Sequence, residues 1–210
     1  MAKGKRVLFI DNQEIRSMHG VERVIHPAQK YEDNPVVISD KPWEKDLITG
    51  TVRRENGIYR MWYQSYIQKT YLNLYAESED GVKWIKPALG QYEDFEGKTD
   101  NNIFLSRLAL RHKERTPLDC NQDNNPNVLY TPHLGRGREY TLISYDYGRS
   151  GYSAYDGYFL AFSRDGLKWT DGPEEPVIPG HADVGWFLFD EAENMFRGIV
   201  KTFLNTSGVN

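Results

Sequence analysis

A seven-residue phrase occurs twice in this chain: "SEDGVKW", from Ser78 to Trp84, and "SRDGLKW", from Ser163 to Trp169. The segments before the two copies also correspond. "GTVRRENGIYRMWYQSY" and "YLNLYAES" precede the first, and "PNVLYTPHLGRGREYTLISYDY" and "YDGYFLAFS" precede the second. A repeat of this length restricts the chain to folds that stack copies of one supersecondary unit, because each copy buries its faces only against its neighbours.

Each unit reads as strands joined by turns. "TVRRE" and "NVLYT" form a first strand; Asn56-Gly57 and the stretch from Gly135 to Gly137 form hairpin turns; "YRMWYQSY" and "EYTLISYDY" form a second strand. "YLNLYAES" and "GYFLAFS" form a third strand, and an Asp-Gly turn leads to a short fourth strand carrying the Trp. In the third strand Leu72, Leu74 and Ala76 alternate with Tyr71, Asn73 and Tyr75, which is the two-residue period of a strand with two distinct faces. No stretch has a sustained helical period. The expected fold is therefore all-β, a β-propeller of four-stranded antiparallel blades.

The motif has a local role in such a blade. Asp80 and Asp165 accept backbone N–H bonds in the turn, Gly81 and Gly166 supply positive φ, and Trp84 and Trp169 fill the space between blades. A third unit, "VGWFLFDEAENMFRGIVKTF", begins at Val184 and reads as a strand, an acidic turn and a second strand. The expected division is residues 1–45 as an N-terminal segment entering the first blade, 46–90 as blade one and 91–122 as an inter-blade loop. Residues 123–180 are then blade two and 181–210 the first half of blade three. That amounts to about two and a half blades of an apparently truncated ring, with an exposed sheet edge that invites self-association.

Composition excludes several classes. With 39% hydrophobic residues and 13% aromatics the 210-residue chain is not disordered. A formal charge of −4 with scattered basic residues argues against nucleic acid as a partner. A single cysteine, Cys120, excludes an intrachain disulfide framework and a CxxC metal site, and no metal-ligand spacing appears. Structural calcium held by carbonyl and Asn/Asp oxygens leaves no pattern and stays open; no other cofactor is expected. The apolar run "VLFI" is far too short for a signal core or a membrane span, so the chain as written reads as cytoplasmic, or as periplasmic or secreted if a signal peptide has been removed.

The segments "LFIDNQEIRSMHGVERVIHPAQKYEDNPVV", "KPWE", "GIYRMWYQ", "YAESEDGVKWIKPALG", "DNNIFL" and "LAFSRDGLKWTDGPEEPVIPG" resemble, in that order, the five-bladed propeller glycoside hydrolases, which include invertase-type and arabinanase-type enzymes. The resemblance runs from about Val7 to Thr202. It implies a complete ring of five blades, an N-terminal segment wrapping it, and an active site on the propeller axis built from acids at or near the innermost strands. Asp46 precedes "LITGTV", Asp123 precedes "NNPNVLY" and Asp183 precedes "VGWFLF". By resemblance Asp46 is the base or nucleophile, Asp123 the orienting and pKa-tuning residue, and Asp183 the acid, although the better-known families commonly use Glu for the acid. Such a trio suits glycosidic cleavage, in which one acid protonates the leaving oxygen and one carboxylate activates water or attacks the anomeric carbon.

His181, Trp43 and Trp186 are candidate substrate-binding residues, a histidine for sugar hydroxyls and indoles for stacking. Arg60 and Arg197 recur after the turn in blades one and three, as blade-bridging ion pairs or as substrate clamps. The expected function is cleavage of glycosidic bonds in oligo- or polysaccharides by a hydrolase, or by a phosphorylase of similar shape. The alternative is a noncatalytic carbohydrate-binding propeller or an inactive fragment. A sialidase-like enzyme ranks lower, since its box carries an extra residue between Asp and Gly and no arginine triad is evident.

Overall fold

A computed structural model describes residues 11–13, 15–68, 70–105, 124–146, 157–173, 175–180 and 184–201. The chain divides into two compact units, Met1–Asn34 and Pro35–Asn210. In the first, the described residues carry no helix or strand, and the Arg23 guanidinium bonds the Asp11 carbonyl at 2.8 Å and the Asn12 side chain.

The described residues of the second unit form three antiparallel sheets. The first comprises β1 (Asp46–Glu55), β2 (Ile58–Ile67), β3 (Thr70–Ser78) and β4 (Ile103–Leu105), in that spatial order. The second comprises β5 (Asn124–Tyr130), β6 (Tyr140–Asp146), β7 (Gly157–Ser163) and β8 (Trp169–Asp171), with β9 (Ile178–Pro179) pairing β7. The third is a hairpin of β10 (Gly185–Asp190) and β11 (Met195–Val200). Asn56-Gly57 makes the two-residue turn between β1 and β2, so Glu55 stands opposite Ile58.

The central strands are buried on both faces, and their alternation sorts residues between two cores rather than between core and water. Met61, Tyr63, Leu72, Leu74 and Ala76 form a cluster on one face of the first sheet; Val37, Trp43, Leu47 and Trp84 pack against it. Trp62 and Tyr75 point the other way and join Val128, Tyr140, Leu142 and Trp169 of the second sheet, with Phe104 of β4. Ile143, Tyr145 and Tyr158 on the far face of the second sheet meet Phe187 of β10. Each wholly buried Leu or Phe in these clusters contributes about 1.5–3 kcal/mol.

The fourth strand of the first sheet differs from expectation. The Trp84 segment makes only an isolated bridge, Ile85 to Glu77, because Pro87 follows within two residues and has no N–H to extend the ladder. Its place beside β3 is taken by Ile103–Leu105, a fully buried apolar triplet from the stretch expected to be an inter-blade loop. In the second sheet Pro173 falls later, and Trp169, Thr170 and Asp171 pair with Ser163, Phe162 and Ala161 as the repeat suggests.

The repeated turn is the same in both copies at the level of hydrogen bonds. The backbone N–H groups of Val82 and Lys83 donate to Asp80 at 2.8 and 2.7 Å, and those of Leu167 and Lys168 donate to Asp165, each at 2.8 Å. Gly81 and Gly166 donate to Ser78 and Ser163 and have φ near +78° and +77°. The surroundings differ. The Gly81 carbonyl accepts from its own Trp84 indole at 3.0 Å, whereas the Gly166 carbonyl accepts from the Trp62 indole of the first sheet at 2.7 Å. Arg60 completes the second docking: its guanidinium donates to the Asp165 carbonyl at 2.6 Å, to Tyr75 and Tyr140 hydroxyls at 2.8 and 2.9 Å, and to Glu55 at 3.2 Å. It also lies over the Trp62 ring, 4.8 Å from its centroid. Of the two sequence readings for Arg60, the structure selects the bridge between sheets.

Candidate functional site

The first strands of the three sheets, β1, β5 and β10, lie side by side, and specific bonds fix their starts. Val128 N–H donates to the Thr51 hydroxyl at 2.9 Å and Asn125 N–H to the Gln64 side-chain oxygen at 2.9 Å. The Asn127 amide donates to the Gly185 carbonyl at 3.1 Å and accepts from Phe187 N–H at 3.2 Å, while the Asn125 side chain also reaches Gly185. Gln64 in turn donates to Asn73 at 3.0 Å. Gln64, Asn73 and Asn127 are all buried, so this polar set holds because its groups bond one another.

Two register shifts fall in the same region. β1 bulges between Thr49 and Thr51, at Gly50, whose backbone passes so close to the Trp62 carbonyl that any Cβ would collide with it. β5 shifts between Asn124 and Asn127, with Asn125 held at φ +57°. Bulges of this kind re-aim the residues that precede them and recur beside active sites.

Asp46 is the first residue of β1, exposed and opposite Tyr66. Its neighbour Leu47 packs into the cluster facing away from the second sheet, so the two-residue period turns Asp46 toward the second-sheet side. The approach to β1 is anchored by Glu44, which no pattern in the sequence singled out. Glu44 is buried, accepts from the Tyr63 hydroxyl at 2.6 Å and from Lys86 at 2.6 Å, and Lys45 N–H donates to Ser65 at 2.8 Å. Burial and the Glu44 carboxylate together push the Tyr63 phenol far above its ordinary range, and the Lys86 hydrogen bond holds Asp40 below its own.

Trp43 is half-buried and packs on the inner cluster, with its indole N–H donating to Asn102 at 2.8 Å, so its polar edge is committed within the protein. Trp186 is different: it lies on β10 and is 58% exposed. Asp123, Asp183 and His181 lie outside the described residues. Asp123 immediately precedes β5, and Asp183 stands two positions before β10. One further acid shares this end of the second sheet. Asp146, buried at the last position of β6, follows Tyr145, which pairs with Asn124 at the start of β5. An acid ending the otherwise uncharged strand "YTLISYD" is the signal that points to it.

An open groove of about 480 Å³ lies at the opposite end of the second sheet, lined by Arg136, Arg138, Leu160, Phe162, Thr170 and Asp171. The Arg138 guanidinium covers the Phe162 ring at 4.6 Å, so the groove presents no free aromatic face and stands apart from the strand starts. Among the described residues no group of three or more His, Cys, Asp or Glu side chains is arranged to hold a metal ion, and no helix is long and apolar enough to cross a membrane.

No protein-family model matches the chain, and no curated protein does. Solved structures do. A chain assigned as a glycoside hydrolase from Bacteroides ovatus is 20% identical, with a TM-score of 0.50, over 78% of this chain and 48% of that one. A second belongs to a study of the GH130 family of mannoside phosphorylases, stated to contain glycoside hydrolases that target β-1,2 mannosidic linkages in Candida mannan. It is 15% identical, with a TM-score of 0.50, over 82% of this chain and 49% of that one. The chain thus spans about half the length of the structures it matches. The all-β antiparallel fold is that of the β-propeller glycoside hydrolases, as the resemblance implied.

Proposed function

We propose that this chain is a glycoside hydrolase-like protein that cleaves glycosidic bonds with Asp46, Asp123 and Asp183. The observation that carries the reading is the side-by-side start of β1, β5 and β10, fixed through Thr51, Gln64, Asn125 and Asn127, with an acid at or just before each strand. The fold shared with glycoside hydrolases supports it. Asp183 protonates the leaving oxygen, Asp46 activates water or attacks the anomeric carbon, and Asp123 orients them and raises the pKa of the donor by like-charge repulsion. Carboxylates about 5–5.5 Å apart give retention, and about 6.5–9.5 Å inversion. Trp186 and His181 line the approach for sugar.

The test is a screen of oligosaccharides, β-1,2-mannosides included, with and without inorganic phosphate to separate hydrolysis from phosphorolysis. Asp46→Asn and Asp183→Asn each lower turnover by about 10²–10⁴-fold with an unchanged melting temperature. Unaltered turnover in both variants removes the assignment. The exposed Trp186 favours a second reading, a noncatalytic carbohydrate-binding propeller. Sugar binding by calorimetry, lost in Trp186→Ala and without turnover in the unaltered chain, selects it.

A further inference from the structure

The joint between the first two sheets has two halves. The receiving half is the face of the β1–β2 hairpin carrying Glu55, Arg60 and Trp62; the inserted half is Val128 with the turn from Ser163 to Gly166. Strand registers place both halves a second time on this molecule, each with residues exposed to solvent.

The receiving half recurs on the third sheet. Glu55 ends β1 opposite Ile58, and Asp190 ends β10 opposite Met195; Arg60 and Arg197 are then each the third residue of the following strand. The same pair closes both hairpins, Arg60 to Glu55 at 3.2 Å and Arg197 to Asp190 at 2.8 Å. Two residues on, Trp62 corresponds to Ile199. Trp62 is wholly buried beneath the second sheet, whereas Ile199 is 76% exposed and its partner Trp186 is 58% exposed. The opposite face of β10 is already used, with Phe187 against Tyr158 and Phe189 stacked on His133.

The inserted half recurs on the first sheet. Tyr59 and Tyr140 stand opposite the motif serines, Ser78 and Ser163, and Arg54 and Tyr130 stand opposite those tyrosines. Val52 therefore corresponds to Val128. Val128 is 0% exposed in the joint, while Val52 is 50% exposed on a sheet that also presents the exposed Asp80 turn.

We propose that these two open halves belong to each other and that a second copy of this chain joins them. The Asp80–Gly81 turn and Val52 of one copy seat on Arg197 and Ile199 of the other, with the Asp80 carbonyl meeting Arg197 as the Asp165 carbonyl meets Arg60. The contact is head to tail, and two such contacts close a ring of two. The surface engaged is a sheet face rather than the sheet edge expected from sequence.

Sedimentation velocity of the 210-residue chain from about 1 to 100 µM, a span that reports micromolar dissociation constants, tests the proposal. The unaltered chain sediments at twice the monomer mass, and Arg197→Glu and Val52→Lys each weaken association by at least about tenfold, as loss of a central anchor does. Mixing the two variants restores one of the two contacts, because each still carries the half the other has lost, so the mixture associates more tightly than either variant alone; that recovery also distinguishes a lost contact from a lost fold. A monomer at every concentration, leaving the face to some other partner, overturns the proposal. So does a dimer indifferent to both substitutions, or a mixture that stays monomeric.

Discussion

Gly81→Ala and Gly166→Ala are the same substitution in the same turn, and the structure gives them different consequences. Both glycines sit near φ +78°, so both variants bear the left-handed penalty, about 1 kcal/mol at the lower end of its range. At Gly81 the new methyl meets only the Tyr59 ring at 3.6 Å, an ordinary contact. At Gly166 it falls 2.9 Å from the Trp62 ring and 3.2 Å from the Arg60 guanidinium, so the turn must back out of the joint or those side chains must shift. Overpacking of a well-filled contact costs roughly 1–3 kcal/mol. For the monomeric chain the expected losses are thus about 1 kcal/mol for Gly81→Ala and about 3 kcal/mol for Gly166→Ala. For a domain of this size each kcal/mol moves the melting temperature by about 2–4 °C, so calorimetry separates the variants by about 4–8 °C. Urea midpoints with equal slopes check that stability alone has changed. In a Trp62→Phe background, which removes the colliding ring edge, the excess shrinks. Equal losses for the two variants within about 0.5 kcal/mol, the limit to which independent effects add, would refute the view that the second turn works by docking.

The Arg60 clasp and its charge partners give further expectations. Arg60→Ala removes four hydrogen-bonding contacts, but Glu55 keeps Arg53 and the Tyr140 hydroxyl at 2.7 and 2.6 Å. The loss is therefore about 2–3 kcal/mol, at or below the range for breaking a buried pair, and Arg53→Ala, on the more exposed side, costs under about 1 kcal/mol; chemical denaturation measures both, and equal losses count against the clasp. Burial works to raise the Glu55 carboxyl, yet bonds from Tyr140, Arg53 and Arg60 outweigh it and hold the group below its ordinary 4.5. The stabilisation is fully present above that value and is lost as pH falls through the lower folded value, so Glu55→Gln flattens the acid limb of a stability–pH curve. An acid limb of undiminished slope in that variant would count against the assignment. Asp165→Ala and Asp80→Ala both lower the melting temperature by freeing two turn N–H groups, Asp165→Ala by more because its turn also holds the neighbouring sheet; the reverse order in calorimetry would count against that role.

Strands whose alternation and turns are local were legible in the sequence. "GYFLAFS" coincides with β7, and β2, β3 and β6 depart from the expected segments by one residue at each end or less where the structure describes them. Local pattern could not reveal β4, whose three apolar residues have strand character only because β3 offers an edge some thirty positions away in the chain. The Asp80 and Asp165 turns were readable as turns, but nothing within seven residues distinguishes the copy that caps its own carbonyl from the copy that plugs into Trp62 and Arg60. The candidate site was readable as acids before first strands. The Gln64–Asn125–Asn127 network behind Asp46 depends on bonds that span 61 and 58 residues and leaves no periodicity to detect.

Arg60 and the Asp165 carbonyl that completes it are 105 residues apart. A ribosome adding roughly 5–20 residues per second exposes the first sheet some 5–20 s before its plug is made. Through that interval the socket presents Trp62, Tyr75 and a positive charge to the cell, a surface that holding chaperones recognise and that a second nascent chain can occupy. The order of synthesis therefore sets a period of vulnerability that neither sheet shows once both are in place.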